Sequence, residues 1–238
     1  MKHALAFTLS LLATGAIGQE AVQEPVGLEL VLLADASGSI DAEELAFQRS
    51  GYAQAMQEPR VLEAIAEGLW SRIAVTYVEW AEYPEVVVPW MVIEDAADAA
   101  AFAEALAVAP RRAVGRNAIG RALLGGMELI EGNDIQGVRG VIDFSGDTIG
   151  NFHGPSIAEA RREVLAAGIT INGLPILRPD RGGDMLADAY ADRIIGGPDA
   201  FMVVAESRET FALAVRRKLV LEIAGLTPDE FDTATLAE

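Results

Sequence analysis

The sequence predicts an α/β fold with a doubly wound, mostly parallel sheet, one antiparallel edge strand and helices on both faces. Apolar runs of strand length alternate along the 238-residue chain with longer segments of helical period, which is the order expected of such a sheet. Two β-rich runs, Arg72 to Trp80 and Glu85 to Trp90, are separated only by a short turn that contains Pro84. Because so short a connection makes a hairpin and not a crossover, we expect one edge strand to be antiparallel.

The first strand and the helix after it carry the clearest local signals. Leu28 to Ala34 is nearly all aliphatic, as expected of a central strand buried on both faces. Asp41 and Glu44 have the spacing of a capping box, and an apolar stripe of helical period follows them. We expect this helix to end before Pro59.

The later elements continue the alternation and end in a helix that carries three adjacent basic residues. Arg216, Arg217 and Lys218 lie towards the end of that helix, where we expect them to suit the negative end of its dipole. The elements expected after the hairpin are a helix over Ala96–Val108, a helix from about Ala118, a strand over Val138–Ser145, a helix capped by Ser156 and Glu159 and ended by Gly168, a strand over Ile169–Ile176, a short helix, a last strand over Ala200–Ala205 and the basic helix itself.

The N-terminus has the pattern of a secretion signal. Lys2 and His3 precede an apolar run from Ala4 to Leu12, and the small residues Ala16 and Gly18 follow. We therefore expect cleavage after Gly18 and a periplasmic or secreted protein. The apolar run is shorter than the roughly 20 residues that span a bilayer, so we expect no membrane span. The expected divisions are a signal peptide over 1–18, an N-terminal segment over 19–27, one domain over 28–225 and a tail over 226–238 with one short helical turn.

Composition narrows the possible partners and chemistries. The formal net charge is −18, and so acidic a surface repels nucleic acid and anionic lipid while it attracts cations. The chain has no cysteine, which excludes thiol ligands, thiol nucleophiles and disulfides.

Polar side chains gather beyond the carboxyl ends of predicted strands, where open parallel sheets bind their ligands. A hard cation such as Mg²⁺ prefers oxygen ligands and usually keeps several waters. Carboxylates and hydroxyls together supply such oxygens and leave the ion able to attract one more anionic oxygen from outside. The three clusters are Asp35, Ser37 and Ser39 after the first strand, Gly115-Arg116-Asn117 before a helix, and Asp143, Ser145 and Asp147 around the end of a later strand.

The first cluster resembles a known motif. Asp35-Ala36-Ser37-Gly38-Ser39 matches the D-x-S-x-S signature of the metal-ion-dependent adhesion site (MIDAS) of von Willebrand factor A (vWA) domains, whose Rossmann-like fold has the same order of elements. The resemblance implies one Mg²⁺, Mn²⁺ or Ca²⁺ ion and a protein partner that presents an Asp or Glu to it. The implied ligands are Asp35, Ser37, Ser39, Asn117 and Asp147.

Two positions depart from the vWA pattern. Asn117 stands where the family has a threonine, and its amide still offers a carbonyl oxygen. The third loop usually reads T-D-G, whereas this chain has Gly146-Asp147-Thr148. We choose Asp147 as the ligand over Asp143, which is expected to point along its strand.

Further stretches resemble an uncharacterised bacterial subgroup, domain of unknown function 1194. This resemblance covers nearly the whole chain after the signal, and it implies the fold without implying an activity. The stretches are Tyr77 to Ala81, Ile171 to Ile176, Ile195 to Pro198 and Arg217 to Ala224.

Three functions are compatible with the sequence. The first is a metal-dependent binding module, and the second is a hydrolase that uses the same ion to activate water or orient a phosphoryl group. Phosphate-transfer enzymes with a strand-end aspartate generally need a second acid two residues later, where this chain has Ser37, and G-x-S-x-G, Walker and H-E-x-x-H motifs are absent. We therefore expect no enzyme. The third is a structural domain that has lost metal binding, for which Asn117 is the hint.

Overall fold

The computed structural model describes residues 25–178 and 183–235, and the signal peptide expected over 1–18 lies outside them. Strands and helices alternate along the described chain as the sequence predicts. In chain order the elements are β1 (Leu28–Asp35), α1 (Ala42–Met56), α2 (Pro59–Glu67), β2 (Ile73–Trp80), β3 (Pro84–Ile93), α3 (Ala96–Val108), α4 (Ile119–Glu131), β4 (Gly140–Gly146), α5 (Ile157–Ala166), β5 (Thr170–Pro175), α6 (Gly183–Arg193), α7 (Arg208–Ala224) and α8 (Pro228–Thr235).

Five strands form one sheet in the order β3-β2-β1-β4-β5. The strands β2, β1, β4 and β5 are parallel, and β3 pairs with β2 in the antiparallel direction. The antiparallel hairpin at one edge and the mostly parallel sheet are therefore confirmed. The carboxyl ends of β1 and β4 are neighbours, because Ala34 is paired with Ser145.

The aliphatic strand β1 is buried along its whole length, since helices cover both faces of the sheet. Leu30 and Leu32 belong to a core shared with α1, α2, α3 and α7, and Val31 and Leu33 belong to a second core shared with α4, α5 and α6. Alternate residues of β1 thus pack into the two cores on opposite faces of the sheet. This burial fixes the point at which β1 emerges into its polar loop.

Three local predictions differ from the structure. The strand expected over Ala200–Ala205 is wrong, because this segment makes only isolated bridges, from Met202 to Gly173 of β5 and from Ala205 to Ile176 just after β5. The helix α2 begins at Pro59, where the sequence had indicated only the end of α1. The tail carries the eight-residue helix α8 and not a single turn.

The interpretation of Lys218 as a residue near the end of its helix is wrong. Lys218 is completely buried, with its Nζ 2.8 Å from Asp143 Oδ1 and in contact with the Glu222 carboxylate. The helix continues six residues beyond it, to Ala224, and its last turn contains no basic residue. Lys218 instead joins α7 to β4 through a buried ionic cluster.

None of the described helices is both long and apolar enough to cross a membrane.

Candidate metal centre

Three loops meet at the carboxyl ends of β1 and β4. Asp35 is the last residue of β1 and Gly146 is the last residue of β4. The loop after β1 is bonded to the loop before α4, because the Gly38 N–H donates to the Gly115 carbonyl at 2.9 Å. The loop after β4 is bonded to it as well, through the Phe152 N–H and the Asn117 carbonyl at 2.8 Å. The sequence-predicted loops are therefore adjacent.

The first loop turns so that its alternate polar side chains face one another. The Ser37 N–H donates to Asp35 Oδ1 at 2.8 Å, and the hydroxyls of Ser37 and Ser39 lie 3.2 Å apart. Arg111 holds this turn from the side by donating to the carbonyls of Ala36 and Ser37. Asp35 and Ser37 are fully buried, and Ser39 is exposed.

Asn117 in the second loop contacts the Ser37 hydroxyl of the first loop. Its Nδ2 donates to Ser37 Oγ at 3.2 Å, so in this orientation the amide positions the serine hydroxyl. Rotating the amide exchanges its nitrogen and oxygen. Asn117 is therefore brought to the site, where it acts on Ser37.

The third loop brings Asp147 beside Asp35. The Asp147 side chain is 1% exposed. The backbone before it approaches Asp35 closely, because a Cβ at Gly146 would lie 3.1 Å from Asp35 Oδ2 and 2.9 Å from the ring of Trp80. Glycine is thus required at position 146. Asp143, which was expected to point along its strand, instead faces Lys218 in the core below α7.

The electrostatics of the site favour a cation. Burial raises the pKa of Asp35 to about 7, against the Ser37 N–H that lowers it, and the neighbouring Asp147 carboxylate raises it further. The Asp147 N–H and the Ser37 hydroxyl lower the pKa of Asp35 in part, but Asp35 Oδ2 is buried and has no hydrogen-bond partner of normal geometry among the described residues. A desolvated carboxylate next to a second one is costly unless a positive charge compensates it.

Arg178, which the sequence interpretation missed, supplies one positive charge at this edge. Its Nε lies 2.7 Å from Asp147 Oδ2, and its Nη2 pairs with Glu44 in the first turn of α1. Arg178 stands three residues after the end of β5. Only oxygen ligands were considered at the positions just beyond the carboxyl ends of strands. A search of the same positions for basic side chains would have found Arg178.

The donor set fits a hard cation by chemistry. Among the described residues, no group of three or more His, Cys, Asp or Glu side chains is placed to hold a metal ion. The oxygens here come instead from two carboxylates and two hydroxyls, and Asp35 Oδ2 is a buried oxygen that a cation could compensate. Mg²⁺ is usually held by one or two carboxylates and completes its shell with waters.

A family model described as protein of unknown function (DUF1194) matches residues 25–227. The chain belongs to the DUF1194 family. The matched range includes every strand of the sheet and all three loops of the site. No curated protein matches this DUF1194 chain.

Solved structures share the fold of the DUF1194 domain. All three below are vWA-like at low identity, and this chain spans less than half the length of each. They are the von Willebrand factor type A protein from Catenulispora acidiphila (TM-score 0.56, 16% identity, 84% of this chain and 43% of that one), proximal thread matrix protein 1 from the mussel byssus with a zinc-occupied MIDAS motif (0.58, 14%, 85% and 47%), and the pilus adhesin SpaC from Lactobacillus rhamnosus GG (0.61, 14%, 87% and 32%). The DUF1194 domain therefore has a vWA-like fold.

Proposed function

We propose that this DUF1194 chain is an exported binding module that holds one divalent cation at the three-loop site and through it engages an Asp or Glu of a protein partner. The observation that carries the proposal is the buried carboxylate of Asp35, whose Oδ2 lacks a hydrogen-bond partner among the described residues. It lies against a second buried carboxylate, Asp147, which raises its pKa. A compensating cation is the simplest reason to keep two acids together in this position.

Each residue of the site has a role in this proposal. Asp35 and Asp147 supply negative charge, and the hydroxyls of Ser37 and Ser39 supply neutral oxygens. Asn117 orients the Ser37 hydroxyl through its amide. When bound, Mg²⁺ (or Mn²⁺ or Ca²⁺) supplies positive charge and a coordination position for one oxygen from outside. These donors do not over-neutralise the ion. A carboxylate oxygen from a partner is therefore suited to complete its coordination shell.

The relatives support the same kind of activity. The mussel matrix protein is described with a zinc-occupied MIDAS motif, and SpaC is described as a pilus adhesin. The apolar run at residues 4–12 with basic residues before it supports export. We infer a binding protein and not an enzyme, because the position two residues after Asp35 is a serine where phosphate-transfer enzymes carry an acid.

The proposal is tested by the effect of cations on melting temperature. Millimolar Mg²⁺ or Mn²⁺ should raise the Tm of the chain lacking residues 1–18 by about 5–10 °C, if the ion is present at about 100 times its Kd. Asp35→Asn should abolish this shift. Asp134→Asn removes a charge from an exposed loop before β4, at the opposite end of the sheet, and should leave it intact. A wild-type Tm that is unchanged by Mg²⁺, Mn²⁺ and Ca²⁺ would contradict the metal site.

The partner chemistry has its own test. A random peptide library selected on the immobilised domain in Mg²⁺ should become enriched in Asp or Glu. The enrichment should vanish in EDTA and on the Asp35→Asn domain. Enrichment that persists in EDTA would show binding without the cation.

A metal-free structural domain is the second candidate. It is favoured by Arg178, whose guanidinium already pairs with Asp147. The melting experiment separates the two, because a structural domain would show the same Tm with and without cations.

A further inference from the structure

Arg178 places a permanent positive charge beside the Asp147 carboxylate, which the proposed cation also needs. Its Nε lies 2.7 Å from Asp147 Oδ2, and the Asp147 side chain is 1% exposed while the Arg178 side chain is 22% exposed. Arginine remains charged at every physiological pH. A divalent cation that uses Asp147 therefore meets a competitor that belongs to the protein.

We propose that Arg178 is a built-in competitor that regulates the cation site, holding Asp147 in the cation-free protein and releasing it when the divalent ion binds. This inference rests on the proposed function, and it adds a regulatory group to the same site. The release has a cost, because the ion must separate an ion pair before it gains the full charge of Asp147. Arg178 thus sets the concentration at which the site fills.

Glu44 gives the guanidinium a second carboxylate. The Arg178 Nη2 pairs with Glu44 at the same time as its Nε faces Asp147. Glu44 lies in the first turn of α1, and its backbone N–H donates to Asp41 Oδ1 at 2.8 Å, which fixes the start of the helix. Because Glu44 stays in place when Asp147 turns to the ion, Arg178 keeps a partner and is not left unpaired.

The surface beside the pair has room for the movement. A groove of about 530 Å³ is lined by Asp147 and Arg178 on one side and by Asp188 and Asp192 of α6 on the other. The two acids on α6 are exposed. Their charge favours a guanidinium that has left Asp147. Arg193 lines the same groove, so a matched charge can be removed there as a control.

The Mn²⁺ dissociation constant, measured from the electron paramagnetic resonance signal of the free ion, tests the inference. Arg178→Gln should tighten Mn²⁺ binding about tenfold, because competition and repulsion both disappear. Glu44→Gln should weaken Mn²⁺ binding, because Arg178 then pairs more strongly with Asp147 and the site loses one negative charge. Arg193→Gln should stay within about twofold of wild type, since an exposed charge is screened.

Each result has a distinct meaning. Equal or weaker Mn²⁺ binding by Arg178→Gln, with wild-type binding intact, would overturn the competitor and leave the proposed function standing. Failure of both wild type and Arg178→Gln to bind Mn²⁺ would overturn both. Binding of Mn²⁺ by Arg178→Gln but not by wild type would support the competitor and overturn the proposed function of the wild-type protein. If Arg178→Gln loses its cooperative melting transition, Glu44→Gln carries the test, and Mn²⁺ binding by Glu44→Gln that is unchanged or tighter than wild type would overturn the inference.

Discussion

Asp35→Asn should change the stability of the protein in opposite directions with and without a cation. Burial raises the pKa of Asp35 from 3.8 to about 7. At 1.36 kcal/mol for each unit of pKa, this corresponds to about 4 kcal/mol. Because the folded-state pKa of this acid is raised, the protein has its full stability below the unfolded pKa and loses stability as the pH rises from about 4 to about 7.

The Asp35→Asn variant removes this loss while it keeps the local contact. The introduced amide is neutral at every pH, and its carbonyl oxygen can still accept from the Ser37 N–H, which lies 2.8 Å from Asp35 Oδ1 in the wild type. In EDTA at about pH 8, Asp35→Asn should therefore be more stable than wild type by up to about 4 kcal/mol, and at about pH 4 the two should be nearly equal. In Mg²⁺ at about pH 8 the wild type should gain stability that the variant does not.

Urea denaturation followed by far-UV circular dichroism measures both effects. The comparison uses the difference between variant and wild type, because Glu222 also has a pKa raised to about 7 and titrates in both proteins. An Asp35→Asn protein that is less stable than wild type in EDTA at about pH 8 would refute the argument. It would show that the ionised carboxylate is stabilised within the protein by groups other than a cation.

Two further changes test the buried ionic cluster and the helix caps. Lys218→Met should cost about 3–5 kcal/mol, because Asp143 and Glu222 then remain buried without their cation. The loss, measured by urea denaturation, should be smaller at low pH, where both acids are protonated, and a loss independent of pH would contradict this explanation. Ser156→Ala should cost about 1 kcal/mol by removing the capping box with Glu159. The Mg²⁺-dependent rise in Tm should be unchanged in the Ser156→Ala protein, and a lost rise would mean that this cap supports the site.

The sequence predicts correctly those elements whose structure depends on residues that are close together in the chain. The aliphatic strand β1, the hairpin of β2 and β3 and the cap at Asp41 follow from neighbours in the chain. The order of strands and helices then places the loops at one edge of the sheet. The proximity of Asp35, Ser37 and Asp147 could therefore be predicted from the sequence.

Long-range pairing accounts for what the sequence did not predict. Lys218 looks like a surface residue in a basic run, and its two acidic partners become visible only when α7 packs on β4. The pairing of Arg178 with Asp147 likewise joins loops that are 31 positions apart in the numbering. Asn117 was implied as a site residue by the resemblance to vWA domains, but its contact with the Ser37 hydroxyl depends on the tertiary structure.

The segment mistaken for a strand has a consequence for how partners can bind. The Gly173 N–H donates to the Phe201 carbonyl at 3.0 Å, and the Val203 N–H donates back to the Gly173 carbonyl at 3.0 Å. Ala205 bonds in the same way with Pro175 and Leu177. An irregular segment therefore occupies the backbone groups along the outer side of β5.

At the opposite edge, β3 contains Pro84 and Pro89, which have no N–H to offer to an added strand. One border of the sheet is thus covered by an irregular segment, and the other carries two prolines that disfavour pairing with an added strand. Protection of this kind keeps proteins with open sheets from joining edge to edge. It also makes the addition of a strand from another molecule unfavourable at both edges of this sheet.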